Sequence, residues 1–122
     1  MASQTDGLQF AIEAARIADD NKSEDVVIMD LRGRSGVTDF FVICTGTSDR
    51  QMRAVSDLIV EYGRKVGEKP LSVTGYETAR WILLDFVDVV VHVFTAQARE
   101  FYDLELLWGD APRIEWRRSA TG

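Results

Sequence analysis

Residues 80–94 read RWILLDFVDVVVHVF and contain two short apolar runs that are typical of β-strands. We predict strands at residues 81–86 and 89–94. The second run, VVVHVF, is apolar everywhere except at His92, which is the pattern of a strand covered on both faces. This strand should therefore lie at the centre of a sheet.

The first of these two strands has one face of mixed chemistry. Side chains alternate between the faces of a strand, so Trp81, Leu83 and Asp85 share one face. An acidic residue at the end of an apolar face indicates that this face meets solvent or a partner. Tryptophan next to an acidic residue is typical of the energetic centre of a protein interface. A tryptophan of the hydrophobic core remains the alternative interpretation of Trp81.

The N-terminal third predicts a helix followed by a β-hairpin. Apolar residues recur at helical spacing over residues 8–19, and Asp6 is a suitable N-cap. Two β-branched or aromatic runs follow, at residues 26–31 and 40–45, with the turn sequence GRSG between them at 33–36.

The second helix has clear start and stop signals. Ser48 and Gln51 form an S-x-x-Q capping box, in which each side chain is expected to bond a free N–H group at the other residue. Gly67 is a C-terminal cap and Pro70 ends the helix. A short strand at residues 71–73 follows, and we expect it at a sheet edge.

The last helix is predicted over residues 97–108, with Thr95 as its N-cap and Gly109 and Pro112 at its end. Its inner stripe is expected to be Phe101, Leu104, Leu107 and Trp108. The element order is then α-β-β-α-β-β-β-α. This order predicts a mixed α/β (α+β) fold with a single mixed sheet of about five strands flanked by helices. We expect one domain over residues 1–111 and a polar, flexible tail over 112–122.

Composition excludes several classes of protein. The chain has 122 residues, and 14 Lys plus Arg against 20 Asp plus Glu give a net charge of −6. One cysteine rules out an intramolecular disulfide, and one histidine beside it argues against a zinc site. The first residues, MASQTDG, lack the pattern of a signal peptide, and no apolar run approaches the ~20 residues of a membrane span. We expect a cytoplasmic protein with no membrane attachment and no cofactor.

The net charge also limits the partners. Lys and Arg supply most of the affinity for nucleic acid by neutralising phosphates. Here the basic residues are scattered, and their densest cluster is only Arg113, Arg117 and Arg118. We therefore expect no sequence-specific nucleic-acid binding, and a basic protein as the partner.

Four features of the sequence are candidate sites of chemistry. Cys44 and His92 lie inside strand runs, which favours a buried thiol and a hydrogen-bonded core histidine over a nucleophile and a base. The TGTS turn at residues 45–48 precedes a helix and could hold a phosphate, but it matches neither phosphate-binding motif, which favours a simple capped helix start. Asp85 and Asp88 are three residues apart, which does not fit the D-x-D spacing of a magnesium site on a strand.

Three segments together resemble a known family. They are SGVTDFFVICTGTSDRQ (residues 35–51), RWILLDFVDVVVHVF (80–94) and REFYDLELLWGDA (99–111). The chain resembles the ribosomal silencing factor family, also called Iojap-like, from about Leu8 to Ala111. The resemblance implies a fold similar to that of nucleotidyltransferases, without catalysis. It also implies a translational repressor that binds the large ribosomal subunit through its fourteenth ribosomal protein and blocks joining of the small subunit when nutrients are short.

The resemblance further implies a homodimer when free and a set of partner-binding positions. Those positions are Trp81, Leu83, Asp85, Asp88, Glu77, Tyr76, Ser48 and Arg50. Trp81 is expected to be the apolar anchor, with Asp85, Glu77 and Asp88 facing Lys or Arg of the partner. One position departs from the family, which usually has glycine where this chain has Val87. A valine adopts a positive φ only at a cost, so we expect a different local turn at this position.

Two other functions remain open at this stage. One is a nucleotidyltransferase or nucleotide-binding protein that uses the 45–48 turn with Asp39, Asp85 and Asp88. The other is an assembly factor that protects immature large subunits. Such a factor would use the same docking surface as a silencing factor, so the sequence does not separate the two.

Overall fold

The computed structural model describes residues 6–118. The helices in this part of the chain are α1 (Gly7–Asp20), α2 (Asp49–Lys65), α3 (Ala96–Tyr102) and α4 (Leu104–Leu107). The strands are β1 (Glu24–Asp30), β2 (Phe40–Thr45), β3 (Ser72–Thr74), β4 (Trp81–Asp85) and β5 (Val89–Phe94). The predicted order of elements is confirmed, except that the last helix is divided into two.

The strands form one five-stranded mixed sheet in the order β1-β2-β5-β4-β3. The β2–β5 pair is parallel, and the other three pairs are antiparallel. The sheet confirms the predicted hairpin of β1 and β2, the central position of β5 and the edge position of β3. Every side chain of β5 except that of Val90 is buried, as its apolar sequence requires.

Helices α1 and α2 cover one face of the sheet. Asp6 caps α1 as predicted, since its Oδ1 accepts a hydrogen bond from the Gln9 N–H at 2.8 Å. The buried stripe of α1 consists of one aromatic residue and four alanines, which allow the helix to lie close to the strands; they are Phe10, Ala11, Ala14, Ala15 and Ala18.

The cap of α2 is half of the predicted capping box. Ser48 Oγ accepts from the Gln51 N–H at 3.0 Å, as expected. The prediction of a reciprocal bond from the Ser48 N–H to Gln51 is wrong, because Gln51 Oε1 accepts instead from the Thr47 N–H at 3.1 Å. The amide group of Gln51 is turned towards the loop after α1, where Nε2 donates to the Asn21 carbonyl and to Ser23 Oγ. Gln51 therefore ties the start of α2 to the α1–β1 connection.

The single C-terminal helix predicted for residues 97–108 is wrong. Thr95 does cap α3, but the helix breaks at Asp103, whose φ of +48° is left-handed. The break rotates the apolar residues away from a common stripe. Phe101 and Leu107 are 78% and 73% exposed, whereas Leu104 and Trp108 pack against the sheet. The last two therefore form the inner side of this region, and the first two do not.

Arg99 holds the α3–α4 corner against the sheet. Its Nε and Nη2 donate to the two carboxylate oxygens of Glu105 at 3.0 and 2.9 Å. Its Nη1 donates to the Asp25 carbonyl at 2.6 Å and to Thr45 Oγ1 at 2.9 Å. These hydrogen bonds from Arg99 lower the pKa of Glu105. One guanidinium group thus joins two helices to two strands.

Residues 112–118 differ from the flexible tail expected after Ala111. The Ile114 N–H donates to the Ile28 carbonyl at 3.0 Å, so this segment runs along the outer edge of β1. Trp116 is buried in the main core. The physical reason is that β1 offers unpaired backbone groups on that side, and an indole fills the space between α1 and the sheet. The end of the expected tail, residues 119–122, lies outside the described part of the chain.

The turn between β4 and β5 also differs from expectation. Val87 has a φ of +76°, so it adopts the positive-φ conformation that we expected it to avoid. The Asp88 N–H donates to the Phe86 carbonyl at 3.0 Å, two residues back, which with this φ describes a γ-turn of the rare, strained kind. Val87 therefore occupies a glycine-like turn without being glycine.

Candidate partner-binding surface

The candidate surface is the face of β4 that points away from α1 and α2. Ile82 and Leu84 point towards those helices and are fully buried. Trp81, Leu83 and Asp85 point to the opposite face, where each is only half-buried. The predicted alternation is confirmed, and it leaves the apolar-acidic face of β4 accessible.

The register of the sheet adds β5 residues to this face. Leu83 lies opposite His92, and Asp85 lies opposite Val90. Together with neighbouring loops, these residues line a groove of about 430 Å³, which we call the sheet groove. Its apolar lining includes Phe41, Leu71, Leu83, Val87, Val90 and Trp108.

The rim of the sheet groove is unusually apolar for a protein surface. Val37, Leu71 and Val87 are 86%, 73% and 51% exposed. Among the described residues that line the groove, Asp85 is the one carboxylate, and no Lys or Arg is present. An exposed apolar patch with a single acidic group fits a partner that brings apolar and basic side chains together.

Trp81 and His92 are hydrogen-bonded to each other. The Trp81 Nε1–H donates to His92 Nδ1 at 3.0 Å. Burial lowers the pKa of His92 to about 3, so the imidazole is neutral at physiological pH. Because Nδ1 accepts, the proton of the neutral ring lies on Nε2. This Nε2 is buried and has no hydrogen-bond partner within residues 6–118. His92 is thus the core histidine that the sequence predicts, with one nitrogen satisfied.

The indole of Trp81 is also held by ring contacts. Its centroid lies 5.0 Å from the ring of Phe94 and 4.5 Å from that of Tyr102. Trp81 is therefore partly a core residue and partly an accessible surface residue, so each of the two interpretations from the sequence applies to part of its side chain. One side of the ring belongs to the second core cluster, and the remaining surface is accessible.

Tyr76 and Glu77 lie on the connection between β3 and β4, beside α2. Arg53 of α2 donates to both of their carbonyl oxygens, at 3.0 and 2.7 Å. The Tyr76 hydroxyl donates to Asp57 Oδ2 at 3.0 Å, and this bond raises the pKa of the phenol. Tyr76 faces a separate depression along α2, so neither residue lines the sheet groove.

The remaining predicted positions are dispersed. Asp88 lines a depression beside the start of α1, with Asp6 and Glu68, and does not line the sheet groove with Asp85. Ser48 and Arg50 lie at the start of α2, outside the lining of the groove. Of the eight predicted positions, the structure places Leu83 and Asp85 in the groove. Trp81 is on the same face of β4 but lines a separate depression with Phe101 and Tyr102.

Sequence reasoning missed several apolar residues that line the groove. Val37, Leu71 and Val90 come from three separate segments, and only the pairing of the strands brings them together. A partial signal was present in β5, where Val90 and His92 alternate in step with Leu83 and Asp85. Recognising that these residues share one face requires the register between β4 and β5, which the sequence alone does not provide.

The turn at residues 45–48 is occupied by the chain itself. The Gly46 N–H donates to the Phe94 carbonyl at 2.7 Å, and the Thr47 N–H donates to Gln51. A side chain at position 46 would collide with Met52, so the glycine is required for packing. These contacts explain the small residues of the turn without a bound phosphate.

Cys44 is fully buried, and burial raises the pKa of its thiol to about 11. This is the inert core cysteine that the sequence predicts. Within residues 6–118, no group of three or more His, Cys, Asp or Glu side chains is placed to hold a metal ion. In the same part of the chain, no helix is both long and apolar enough to cross a membrane.

Comparison with known proteins gives a consistent result. The model of the family described as "Ribosomal silencing factor during starvation" matches residues 4–121. The ribosomal silencing factor RsfS of Halalkalibacterium halodurans is 44% identical over 108 residues, which are 88% of this chain and 90% of that protein. The chloroplastic protein Iojap of Zea mays is 39% identical over 111 residues, which are 88% of this chain and 47% of the longer plant protein.

Two solved structures share the fold. A crystal structure of a protein from Bacillus halodurans matches with a TM-score of 0.73 at 42% identity, covering 88% of this chain and 95% of that one. A crystal structure of a protein from Chromobacterium violaceum matches with a TM-score of 0.82 at 26% identity, covering 96% and 97%.

Proposed function

The chain belongs to the ribosomal silencing factor family, and from this premise we propose that it represses translation by binding the large ribosomal subunit. Membership establishes a ribosome-associated regulatory role. The proposal adds the mechanism: a single compact domain in the cytoplasm binds the fourteenth protein of the large subunit and prevents the small subunit from joining, notably when nutrients are limited.

The observation that carries the proposal is the accessible face of β4 in an acidic chain. Leu83 and Asp85 lie in the sheet groove, and Trp81 is half-buried on the same face of β4. A large, partly fixed aromatic ring next to apolar surface is the usual composition of an interface centre. A carboxylate at its margin favours a basic partner, as ribosomal proteins generally are, and guides the encounter more than it adds affinity.

The described residues support steric repression in preference to catalysis. The 45–48 turn is filled by Gln51 and Phe94. Asp85 and Asp88 face different depressions, so they are not paired for a shared metal ion. A docked domain needs neither group, since its bulk alone occupies the surface that the small subunit requires.

We also propose that the free chain forms a homodimer. The corner of α3 and α4 exposes three large apolar side chains to solvent: Phe101, Leu106 and Leu107. Exposed apolar side chains concentrated in one short segment support self-association. Light scattering of the purified chain should give twice the mass of the monomer. A monomeric mass at micromolar concentration would contradict this part of the proposal.

Sedimentation of purified ribosomal subunits tests the main proposal. The chain is mixed with large subunits, with small subunits or with both, and each mixture is separated on a gradient. We expect the chain to travel with large subunits only and the joined-ribosome peak to decrease. Leu83→Asp places a charge in the sheet groove, whereas Leu58→Asp places the same charge at an exposed position of α2 outside it. Only the first variant should restore joining.

Two results would overturn the proposal. One is a chain that stays at the top of the gradient with joining unchanged. The other is a Leu83→Asp variant that is folded by circular dichroism and still blocks joining like the wild type. The first result would show that the chain does not bind the large subunit. The second would show that the sheet groove is not the contact surface.

A further inference from the structure

The turn between β4 and β5 holds Val87 in a conformation that valine rarely adopts. Its φ is +76°, which for a β-branched residue is a genuine outlier. Two hydrogen bonds fix the turn: the Asp88 N–H donates to the Phe86 carbonyl at 3.0 Å, and the Val87 N–H donates to Asp85 Oδ1 at 2.8 Å. Neither of these bonds involves the Val87 side chain.

The fold gains little from the valine side chain. Val87 is half-exposed, and it belongs to neither of the two core clusters among the described residues. Glycine would adopt the same φ without a steric penalty. Strain of this kind persists mainly where the strained group serves a function. The isopropyl group of Val87 needs an explanation outside the packing of the core.

The position of Val87 supplies that explanation. Its side chain lines the sheet groove together with Leu83 and Asp85. Because the turn is fixed on both sides, this apolar group loses little conformational freedom when a partner binds. The charge of the groove defines the partner's chemistry. Asp85 is the one charged residue among its described lining residues, and Oδ2 of Asp85 has no donor within residues 6–118.

We propose that Val87 is a specificity-determining residue of the sheet groove, held in its strained turn to contact an apolar side chain that the large-subunit protein inserts between Val87 and Leu83. A Lys or Arg on the same segment of that protein faces Asp85. This inference rests on the proposed function, and it adds the chemistry of the bound segment: an apolar residue next to a basic one.

Glycine and asparagine at position 87 separate stability from binding. Both residues accept a positive φ, and both remove the isopropyl group. We expect Val87→Gly to raise the melting temperature, because strain is relieved. We expect both variants to bind purified large subunits roughly tenfold more weakly, the scale of losing about two buried methyl groups. Lys22→Gly is the matched control, since Lys22 has a φ of +79° in the α1–β1 connection and lies outside the groove. It should bind like the wild type.

The outcomes distinguish this inference from the proposed function. If the wild-type chain does not bind large subunits, the proposed function fails and this inference fails with it. If the wild type binds and both folded variants bind equally well, only the role of Val87 is overturned. A lower melting temperature in Val87→Gly would show that the side chain serves the fold. Weak binding by Val87→Gly alone, with normal binding by Val87→Asn, would assign the effect to backbone freedom. Both results would also overturn the inference.

Discussion

The indole Nε1–H of Trp81 donates to Nδ1 of His92 across 3.0 Å and links β4 to β5 on the face that carries the sheet groove. The bond fixes the tautomer of the imidazole and the orientation of the indole together. Trp81, which is expected to contact the partner, is therefore positioned by His92, which is almost fully buried.

Replacing Trp81 should weaken binding more than it weakens folding. We expect Trp81→Ala to lose about 2 kcal/mol or more of large-subunit binding, the scale of an interface centre. Trp81→Phe retains the ring contacts with Phe94 and Tyr102 but leaves His92 Nδ1 unpaired, so an intermediate loss is expected. Co-sedimentation gives the affinity, and Leu58→Ala on α2, outside the candidate surface, is the control. Wild-type affinity in a folded Trp81→Ala variant would contradict the prediction.

Mild acid should destabilise the fold through His92. Burial lowers its pKa from the usual 6.5 to about 3, so protons bind the unfolded chain preferentially. The free energy of unfolding is then at its full value above pH 6.5 and decreases as the pH falls towards 3. Between pH 7 and pH 5 the expected loss is about 2 kcal/mol.

The control for this pH effect is His92→Gln, which offers Trp81 an acceptor but takes up no proton in this range. Urea unfolding at pH 7 and pH 5 measures both proteins. The wild type should lose stability over this interval, and the variant should lose much less. Equal losses in the two proteins would show that another group is responsible.

Removing the Arg99 guanidinium should loosen the α3–α4 corner. Arg99→Ala leaves Glu105 and the Asp25 carbonyl without their donor in a largely buried site, and we expect a loss of about 2–3 kcal/mol in urea unfolding. Arg64→Ala removes an exposed ion pair with Glu61 and should change stability by less than about 0.5 kcal/mol. Similar effects for both variants would contradict a special role for Arg99.

Truncation after Ala111 should destabilise the domain. It removes Trp116 from the core and uncovers the outer edge of β1. Trp116→Ala alone should cost about 3 kcal/mol, as for other large aromatic residues in cores. Calorimetry of both proteins against the full chain measures the effect, with Arg118→Ala at the exposed end as the control. An unchanged melting temperature after truncation would show that this segment adds nothing to stability.

Nucleotide should not stabilise the chain. A ligand that binds only the folded state raises the melting temperature by mass action. We expect no shift with millimolar ATP and Mg²⁺, since Gly46 and Thr47 direct their N–H groups to the chain itself. A shift that grows with ATP concentration would revive the nucleotide-binding alternative, and repeating it with Mg²⁺ alone would identify the contribution of the metal ion.

Signals from neighbouring residues predicted most helices and strands correctly. Features that depend on contacts between distant residues were not predicted. Asp6, Ser48 and Thr95 cap helices as expected, because a cap depends on a few adjacent residues. The break at Asp103 was not predictable in this way, since Arg99 holds the corner through strands that are distant in sequence.

The same distinction applies to the candidate surface. The alternation of Trp81, Leu83 and Asp85 is local and was predicted from β4 alone. The groove beside them requires Val90 and Leu71, which strand pairing brings together. The sequence therefore predicted which strand carries the candidate surface, and the pairing of the strands sets the boundaries of the groove.

Pairing of residues 112–118 with β1 also affects how the molecule behaves when concentrated. An uncovered outer strand is a template for another chain, and an apolar face nearby makes such polymerisation easier. Here the Ile114 N–H bonds the Ile28 carbonyl on the outer side of β1. The opposite edge of the sheet is the three-residue strand β3. Neither edge offers a long, free strand among the described residues. The sheet groove can therefore stay open to solvent without promoting fibre-like aggregation through the sheet.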